Sequence, residues 1–553
     1  MIERAASGKS SSQTPDWRLY YWSWVAALFV WATWQRFALP LDPIADPDTW
    51  GYLAPALRKL VGAEFGHTYG RNFVYPAFIF SLLRAFGDFR AIVITQHLLG
   101  LLAGGMLLIT WRRALVFVPD SRLSGAAHDG LGLLGATIFL LAGEPMRFEM
   151  QLRPEGVCAF LVSISLYLAI QFMACCFVEK RPGATVGYGI GATFTSLLLA
   201  SAKPSFLFVA VVALLPIAVF FFRRGWFRQK IQLAAGAAVS AALLLVPEHF
   251  LSRTDEVSRT FLPISLFAVH ANLIRDQLAD DVKDGAEGPY PREWLRRVHE
   301  VLSTEIAKSH AARPGYFWSL GFDPDYLMFE KNSIVVQLRR EFGNDVPALC
   351  DFYRYYYWRV WRERPFLVIR KIQTQMSLFY SEMCPAYNRE KSLSLANGYA
   401  DGAAILRLEP YPELWRTCPP AVEFMGRAEM LVRSAPTIRQ PAPLRITLSL
   451  LSGLYRPLLW SGVALSGFVL FQKRHRRRLG WLAALVLFVY SYNVASCLEA
   501  AIIQSLEVRR FATVQVFFTL FAQLFALWLL CEVALEIRVR AKALPRLRRE
   551  AGG

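Results

Sequence analysis

Two aspartates, Asp46 and Asp48, stand in the run Asp46-Pro47-Asp48-Thr49-Trp50-Gly51-Tyr52 directly after the first apolar stretch of the chain, and Arg71-Asn72-Phe73-Val74-Tyr75-Pro76 follows in the same loop. A carboxylate at the boundary of lipid and water costs little solvation yet reaches both a lipid-borne and a water-borne group. It can therefore take a proton from a nucleophile that attacks a membrane-held substrate. Other polar groups collect at the ends of apolar runs. His67 shares the loop with Arg71 and Tyr75; Glu149, Arg153 and Glu155 precede the fourth run; Lys203 joins the fifth and sixth; Glu507, Arg509 and Arg510 precede the last. Carboxylates and cations converging on one face suit an anionic headgroup beside a hydroxyl to be deprotonated.

The elements that must position these residues are membrane helices. At 54% hydrophobic, 14% aromatic and 19% charged, with a mean hydropathy of +0.31, the chain is too apolar for an ordinary soluble protein. Taking roughly 20 residues per span, apolar runs place helices near 20–39, 91–111, 131–143, 156–178, 184–202, 204–222, 231–250, 446–471, 479–497 and 511–535. The third is short and must borrow turns from its flanks. The expected fold is an all-α polytopic membrane protein of about ten transmembrane helices. It divides into an N-terminal transmembrane module (1–250) with its first outer loop (40–90), a mainly helical outer domain (251–445), and C-terminal transmembrane helices with a basic tail (446–553).

The net charge of +18, from 61 Lys and Arg against 43 Asp and Glu, does not point to nucleic acid, because the basic residues cluster in short segments between apolar runs. With the ten spans above, these clusters all fall on one side, and positive loops stay in the cytoplasm. Both termini are then expected inside, in a bacterial inner membrane, with the loop 40–90, the turn 144–155, the segment 251–445 and the turn 498–510 outside. The first apolar run has a long polar lead and no small-residue cleavage site, so it reads as a retained anchor. Ser7-Gly8-Lys9-Ser10 lacks the earlier glycine of a phosphate-binding loop, since Glu3 stands there.

The eight cysteines have no metal-ligand spacing; in an oxidising compartment one disulfide, Cys384 to Cys418, is the candidate. Within the outer domain, Tyr353 to Pro365 is both aromatic and basic and leads into the apolar run Phe366 to Tyr380. That pattern predicts a helix lying on the outer membrane face, the alternative being a helix packed in a soluble core. The spans are nearly free of ionisable residues, which argues against a coupled transporter. His97 is the main exception and is expected to bond a neighbour. Glycines at 100 and 104, and at 187 and 191, have the spacing of close helix packing.

Four local patterns resemble the GT-C superfamily of integral membrane glycosyltransferases, which use polyprenyl-phosphate sugars and include protein O-mannosyltransferases and the enzyme that adds aminoarabinose to lipid A. Asp48 stands four residues before Tyr52, Tyr75-Pro76 opens a short apolar helix, Arg153-Pro154-Glu155 opens the helix after the next outer turn, and Arg510-Phe511 opens a late helix. The commoner Asp-Glu of that family reads Asp48-Thr49 here, and its usual Arg-Tyr reads Arg510-Phe511. The resemblance implies an inverting transfer with Asp48 as catalytic base and Asp46 as the second candidate, and Glu155 orienting the base or a cation. Lys203, Arg509 and Arg510 would bind the donor phosphate, and Tyr52, His67, Arg71, Tyr75 and Arg153 would line the substrate. The partners implied are a polyprenyl-phosphate sugar donor, a lipid, glycan or protein acceptor and membrane lipids. Whether Mg²⁺ or Mn²⁺ takes part stays open, as does the sugar. The competing classes are a lipid or glycan transporter and a noncatalytic membrane scaffold.

Overall fold

The structure, a computed structural model, describes residues 17–66, 71–254, 256–284, 288–312, 320–343, 345–381, 387–407, 416–503 and 516–550. It is all-α, 83% helical, with one two-stranded antiparallel pair, Ser392–Ser394 with Thr437–Arg439. Among the described residues seven unbroken helices are long and apolar enough to cross a membrane, or nine if each of two bent pairs is one span.

In chain order the first module comprises α1 (Trp17–Phe37), α2 (Thr49–Leu60), α3 (Val74–Phe86), α4 (Arg90–Arg113), α5 (Gly125–Leu141), α6 (Gly143–Glu149), α7 (Glu155–Met173), α8 (Pro182–Ala202), α9 (Leu207–Phe222) and α10 (Phe227–Thr254). The short third run does borrow from its N-terminal flank: α5 starts at Gly125 and, after a 51° bend, continues as α6. The helix α1 is 21 residues long but so rich in Trp and Tyr that it is not among the seven. Its inner face, Tyr21, Val25, Leu28, Ala32 and Arg36, recurs every three or four residues and is buried, while Trp22, Trp24, Trp31 and Trp34 point outward. On α9, Leu207, Val211, Leu215, Val219 and Phe222 form an exposed apolar stripe, the kind of face that lipid or another apolar surface covers.

The buried apolar residues of the segment 251–445 fall mainly into two clusters. Its first part contains α11 (Glu256–Val269), α12 (Ala271–Asp284), α13 (Arg292–Ala312), α14 (Pro324–Phe329), α15 (Ile334–Glu341), α16 (Val346–Glu363) and α17 (Pro365–Phe379), packed around Phe267, Leu302, Leu338, Phe352 and Tyr356. Its second part, α18 (Leu395–Arg407) and α19 (Pro419–Ser434) with the strand pair, shares a core with α2 and α3 through Leu53, Ile79, Tyr399, Phe424 and Ile438. The 251–445 boundary therefore joins two packing units that length alone could not separate. The chain closes with the bent pair α20 (Ala442–Gly453) and α21 (Tyr455–Phe471), then α22 (Lys473–Ile503) and α23 (Val516–Glu550).

The aromatic, basic helix expected on the membrane surface is α16, and it is packed instead. Phe352, Tyr353, Tyr356 and Val360 lie in the core, and Arg359 pairs with Asp281 at 2.8 Å. Neutralised arginines let such a helix sit inside a fold. Trp358 is the large apolar residue that α16 exposes, and the following helix, α17, exposes Phe366, Leu367 and Ile369.

His97 bonds a neighbour, as its sequence context predicts: its Nδ1 lies 2.8 Å from Glu149 Oε2, and Arg36 grips the same carboxylate at 2.8 and 2.9 Å. The bundle thus holds a buried ionised group that the apolar runs concealed. A Cβ on Gly100 would lie 2.0 Å from Glu149 Oε1, and one on Gly104 would lie 2.5 Å from Leu140, so both glycines serve close packing. Gly187 faces open space; Gly189, against Leu233 and Phe172, makes the close approach on α8.

Candidate active site

Backbone pairing brings the two acidic segments together. Ile44 N–H donates to the carbonyl of Met150 at 2.7 Å, and the Ile44 carbonyl accepts from Leu152 at 2.9 Å. This parallel bridge of Ile44 with Gln151 puts Asp46, two residues on, beside Arg153, also two residues on. The loop is clamped from above by the second unit. A Cβ on Gly402 would sit 2.9 Å from the Ala45 carbonyl, Trp50 Nε1 donates to the Ile405 carbonyl at 3.1 Å, and Arg427 bridges Asp42 and Asp88 at 2.7 and 3.0 Å.

Asp46-Pro47-Asp48 is a turn that starts α2. Asp46 Oδ1 accepts the Asp48 N–H at 2.9 Å, and the Asp46 N–H donates to Thr49 Oγ1 at 2.8 Å. Asp323-Pro324-Asp325 repeats the device, with Asp323 Oδ1 accepting Asp325 N–H at 2.9 Å at the start of α14. The tripeptide is thus a helix-starting turn wherever it occurs. At 46–48 the turn residue is Asp46, and Asp48 makes no side-chain cap bond, so its carboxylate serves the cations around it.

Those cations come from three distant elements. Arg71 Nη2 lies 2.5 Å from Asp48 Oδ1. Arg153 reaches Asp46 at 2.6 Å, Asp48 at 3.3 Å and Glu155 at 3.1 Å. Lys203 Nζ closes the chain on Glu155 at 2.6 Å. Lys203 has extended backbone before Pro204, a residue position that favours leaving the helix, and this turns its side chain inward; it is buried at 7% exposure and does not snorkel to lipid headgroups. Among the described residues three carboxylates meet three cations. Asp48 and Arg71 form the accessible edge, with side chains 31% and 21% exposed, while Glu155 is only 1% exposed.

The electrostatics separate the two aspartates. Burial pushes Asp46 up to about 7, with Asp48 and Glu155 adding repulsion and Arg153 opposing. Burial raises Asp48 too, but Arg71 and then Arg153 outweigh it and hold that carboxyl below its usual range. Arg71 loses some affinity for its proton to burial and regains more from Asp48, so it stays charged.

Beneath this layer lie Tyr52 and Tyr75, which the sequence assigned to substrate contact. Both are buried. Tyr52 packs edge-on to Tyr75 at 5.2 Å and carries Arg71 over its ring at 5.1 Å, so it supports the guanidinium. The Tyr75 hydroxyl donates to Gln96 Oε1 at 2.9 Å, and Gln96 Nε2 donates to the carbonyls of Glu149 and Gln151 at 2.7 and 3.0 Å. Gln96 was missed by sequence reasoning, although a Gln beside His97 in an apolar helix was the available signal. Two glycines were also missed. A Cβ on Gly51 would lie 2.3 Å from Arg71, and one on Gly156 would lie 2.7 Å from Gln96; both vacate space for a polar side chain.

The structure therefore brings together Asp46, Asp48, Tyr52, Arg71, Tyr75, Arg153, Glu155 and Lys203. His67, Arg509 and Arg510 lie outside the described residues, as does Cys384 of the suggested disulfide. Among the described residues no group of three His, Cys, Asp or Glu side chains is arranged to hold a metal ion; each carboxylate of the cluster is met by a cation instead. No family model matches this chain, and no curated protein or solved structure does.

Proposed function

We propose that the chain is a membrane glycosyltransferase that moves a sugar from a polyprenyl-phosphate-linked donor to a hydroxyl on an extracytoplasmic acceptor, with inversion at the anomeric carbon. The observation that carries this reading is Asp48: an accessible carboxylate, free of capping duty and bracketed by Arg71 and Arg153, in a loop set on a bundle of membrane-crossing helices. A sugar phosphate already carries a good leaving group, so one base suffices. In the proposed step Asp48 takes the proton of the acceptor hydroxyl as that oxygen attacks the anomeric carbon. The bond from that carbon to the phosphate oxygen breaks, and its electron pair leaves with the phosphate. Arg71, Arg153 and Lys203 neutralise that charge, with Arg509 and Arg510 as further donor-phosphate ligands and His67 at the substrate. Glu155, held by Lys203 and Arg153, orients Arg153. A phosphate entering between the two guanidiniums draws them from Asp48 and makes it a stronger base at the moment it is needed. The step holds for any sugar, with or without Mg²⁺ or Mn²⁺. The proposed setting is a bacterial inner membrane, both termini cytoplasmic.

The test is Asp48→Asn in the purified, reconstituted chain with a labelled polyprenyl-phosphate sugar. Transfer falls by about 10²–10⁴-fold, the worth of a positioned base, while donor binding stays within a few-fold. Full activity in this variant overturns the assignment. A donor that crosses the bilayer unconsumed identifies a transporter instead.

A further inference from the structure

Away from this site, one cavity of about 240 Å³ gathers cations without an acid. It lies where the end of α11, the start of α12 and the first turns of α17 meet, lined by His270, Leu367, Arg370 and Lys371, with Leu320 and Phe322 along one side. Lys371 Nζ sits 3.5 Å from His270 Nε2 and donates to the Ala501 carbonyl at 3.2 Å. His270 spends its other ring nitrogen, Nδ1, on the Leu266 carbonyl at 2.9 Å, which assigns the proton to Nδ1 and leaves Nε2 as acceptor. In its charged form the side chain carries three protons, and the third has no acceptor among the described residues.

Among the described residues no carboxylate pairs with this group. Among the described residues neither Arg370 nor Lys371 forms an ion pair, and burial alone acts on Lys371, pushing its pKa far down. Half-buried beside a neutral ring, Lys371 gives up its charge when alone, and an anion held between it and the exposed guanidinium of Arg370 restores that charge. The surroundings say which anion. Leu367 lines the cavity and is exposed, Phe366 and Ile369 are exposed beside it, and the carbonyl that Lys371 holds belongs to the end of α22, a membrane-crossing helix. An apolar rim next to a basic hollow at the end of a membrane helix is what a phospholipid needs: chains along the rim, phosphate inside.

We propose that this cavity binds a phosphate group, supplied by the headgroup of an anionic membrane lipid, with Lys371 and Arg370 as its cations. The site requires no chemistry at Asp48 and stands or falls independently of the transfer reading. Soluble phosphate shares the binding chemistry but not the apolar rim.

Delipidated full-length protein is titrated with phosphatidylglycerol, phosphatidylcholine or pyrophosphate, and bound ligand is counted by native mass spectrometry. Arg370→Gln/Lys371→Gln is compared with wild type and with the exposed pair Arg339→Gln/Arg340→Gln, which removes the same charge from α15. The proposal expects phosphatidylglycerol to bind wild type and the control pair alike, at least tenfold tighter than phosphatidylcholine, and the cavity variant to lose tenfold or more. Saturable pyrophosphate binding that the cavity variant loses, without any preference among lipids, would assign the site to soluble phosphate and overturn the lipid source. Equal phosphatidylglycerol binding by cavity variant and control overturns the site itself. If the double variant does not purify as a single species, Lys371→Arg must keep the preference and Arg370→Gln alone must weaken it; failure of either overturns the proposal.

Discussion

Asp46→Asn gives the sharpest check on the electrostatics of the cluster. The carboxyl of Asp46 is raised from 3.8 to about 7, chiefly by burial, so the folded chain holds this proton more tightly than the unfolded chain does. For a raised acid, stability is complete below the unfolded value and is lost as pH rises toward and through the folded one. A shift of three units amounts to about 4 kcal/mol at the alkaline end, at 1.36 kcal/mol per unit, and roughly 2–3 kcal/mol of it falls between about pH 5 and pH 8. Asn cannot ionise, so the variant lacks this loss. Asp48 does not blur the window, because its shift is downward and acts on the acid side. Thermal unfolding in detergent, followed for both proteins across that range, should show wild type losing roughly 3–5 °C more than Asp46→Asn, at about 1–2 °C per kcal/mol for so long a chain. Other titrating groups contribute equally to both curves and cancel. Parallel curves would mean that Asp46 is ionised throughout and that Arg153 outweighs burial.

Two further substitutions examine the supports. Gly100→Ala puts a Cβ 2.0 Å from Glu149 Oε1, a carboxylate pinned by Arg36 and His97, and should cost on the order of 3 kcal/mol of stability; an unchanged unfolding temperature would displace Glu149 from α4. Arg153→Met strands Asp46 and part of Glu155 and should cost about 3–5 kcal/mol. Arg153→Lys should recover only part of it, since a single ammonium cannot span three carboxylates, and full recovery by Lys would show that the three-way contact carries no weight.

The helices were legible because a membrane demands long apolar runs, and α4, α7, α8 and α9 begin and end close to theirs. What the runs hid were breaks and exceptions. The 51° bend between α5 and α6 falls just before Gly143 and Pro145, a break that the apolar run alone did not mark, and Arg36 near the end of α1 resembles an interfacial anchor until Glu149 is brought to it. Aromatic and basic content could not tell α16 in a core from a helix on a bilayer, because the deciding fact is the position of Asp281 in another helix. Nor could length reveal that α18, α19 and the strand pair pack with the first loop, a contact spanning 355 positions of the chain between Trp50 and Ile405.

The site was legible in its charged members and not in its supports. Ionisable residues at helix ends are conspicuous against an apolar chain, whereas Gln96, Gly51 and Gly156 matter only through what they allow: a bond to Tyr75, and room for Arg71 and for Gln96 itself. Tyr52 and Tyr75 were found in the sequence, and both are buried, Tyr52 beneath the Arg71 guanidinium and Tyr75 against Tyr52.

The charge balance of the cluster links its two aspartates to the proposed reaction. With Asp46, Asp48 and Glu155 ionised against Arg71, Arg153 and Lys203, the described residues sum to zero, and a phosphodiester would enter a neutral hollow with no net attraction. Protonating one carboxylate changes the sum to +1, matching the single negative charge of a sugar-linked phosphodiester. Asp46 is the member built for this, being buried and raised to about 7, while Asp48 remains ionised under Arg71. On the proposed reading the two aspartates act in turn. Asp46 takes up a proton when the donor phosphate binds, and Asp48, released from its guanidiniums by that same phosphate, accepts the proton of the acceptor hydroxyl.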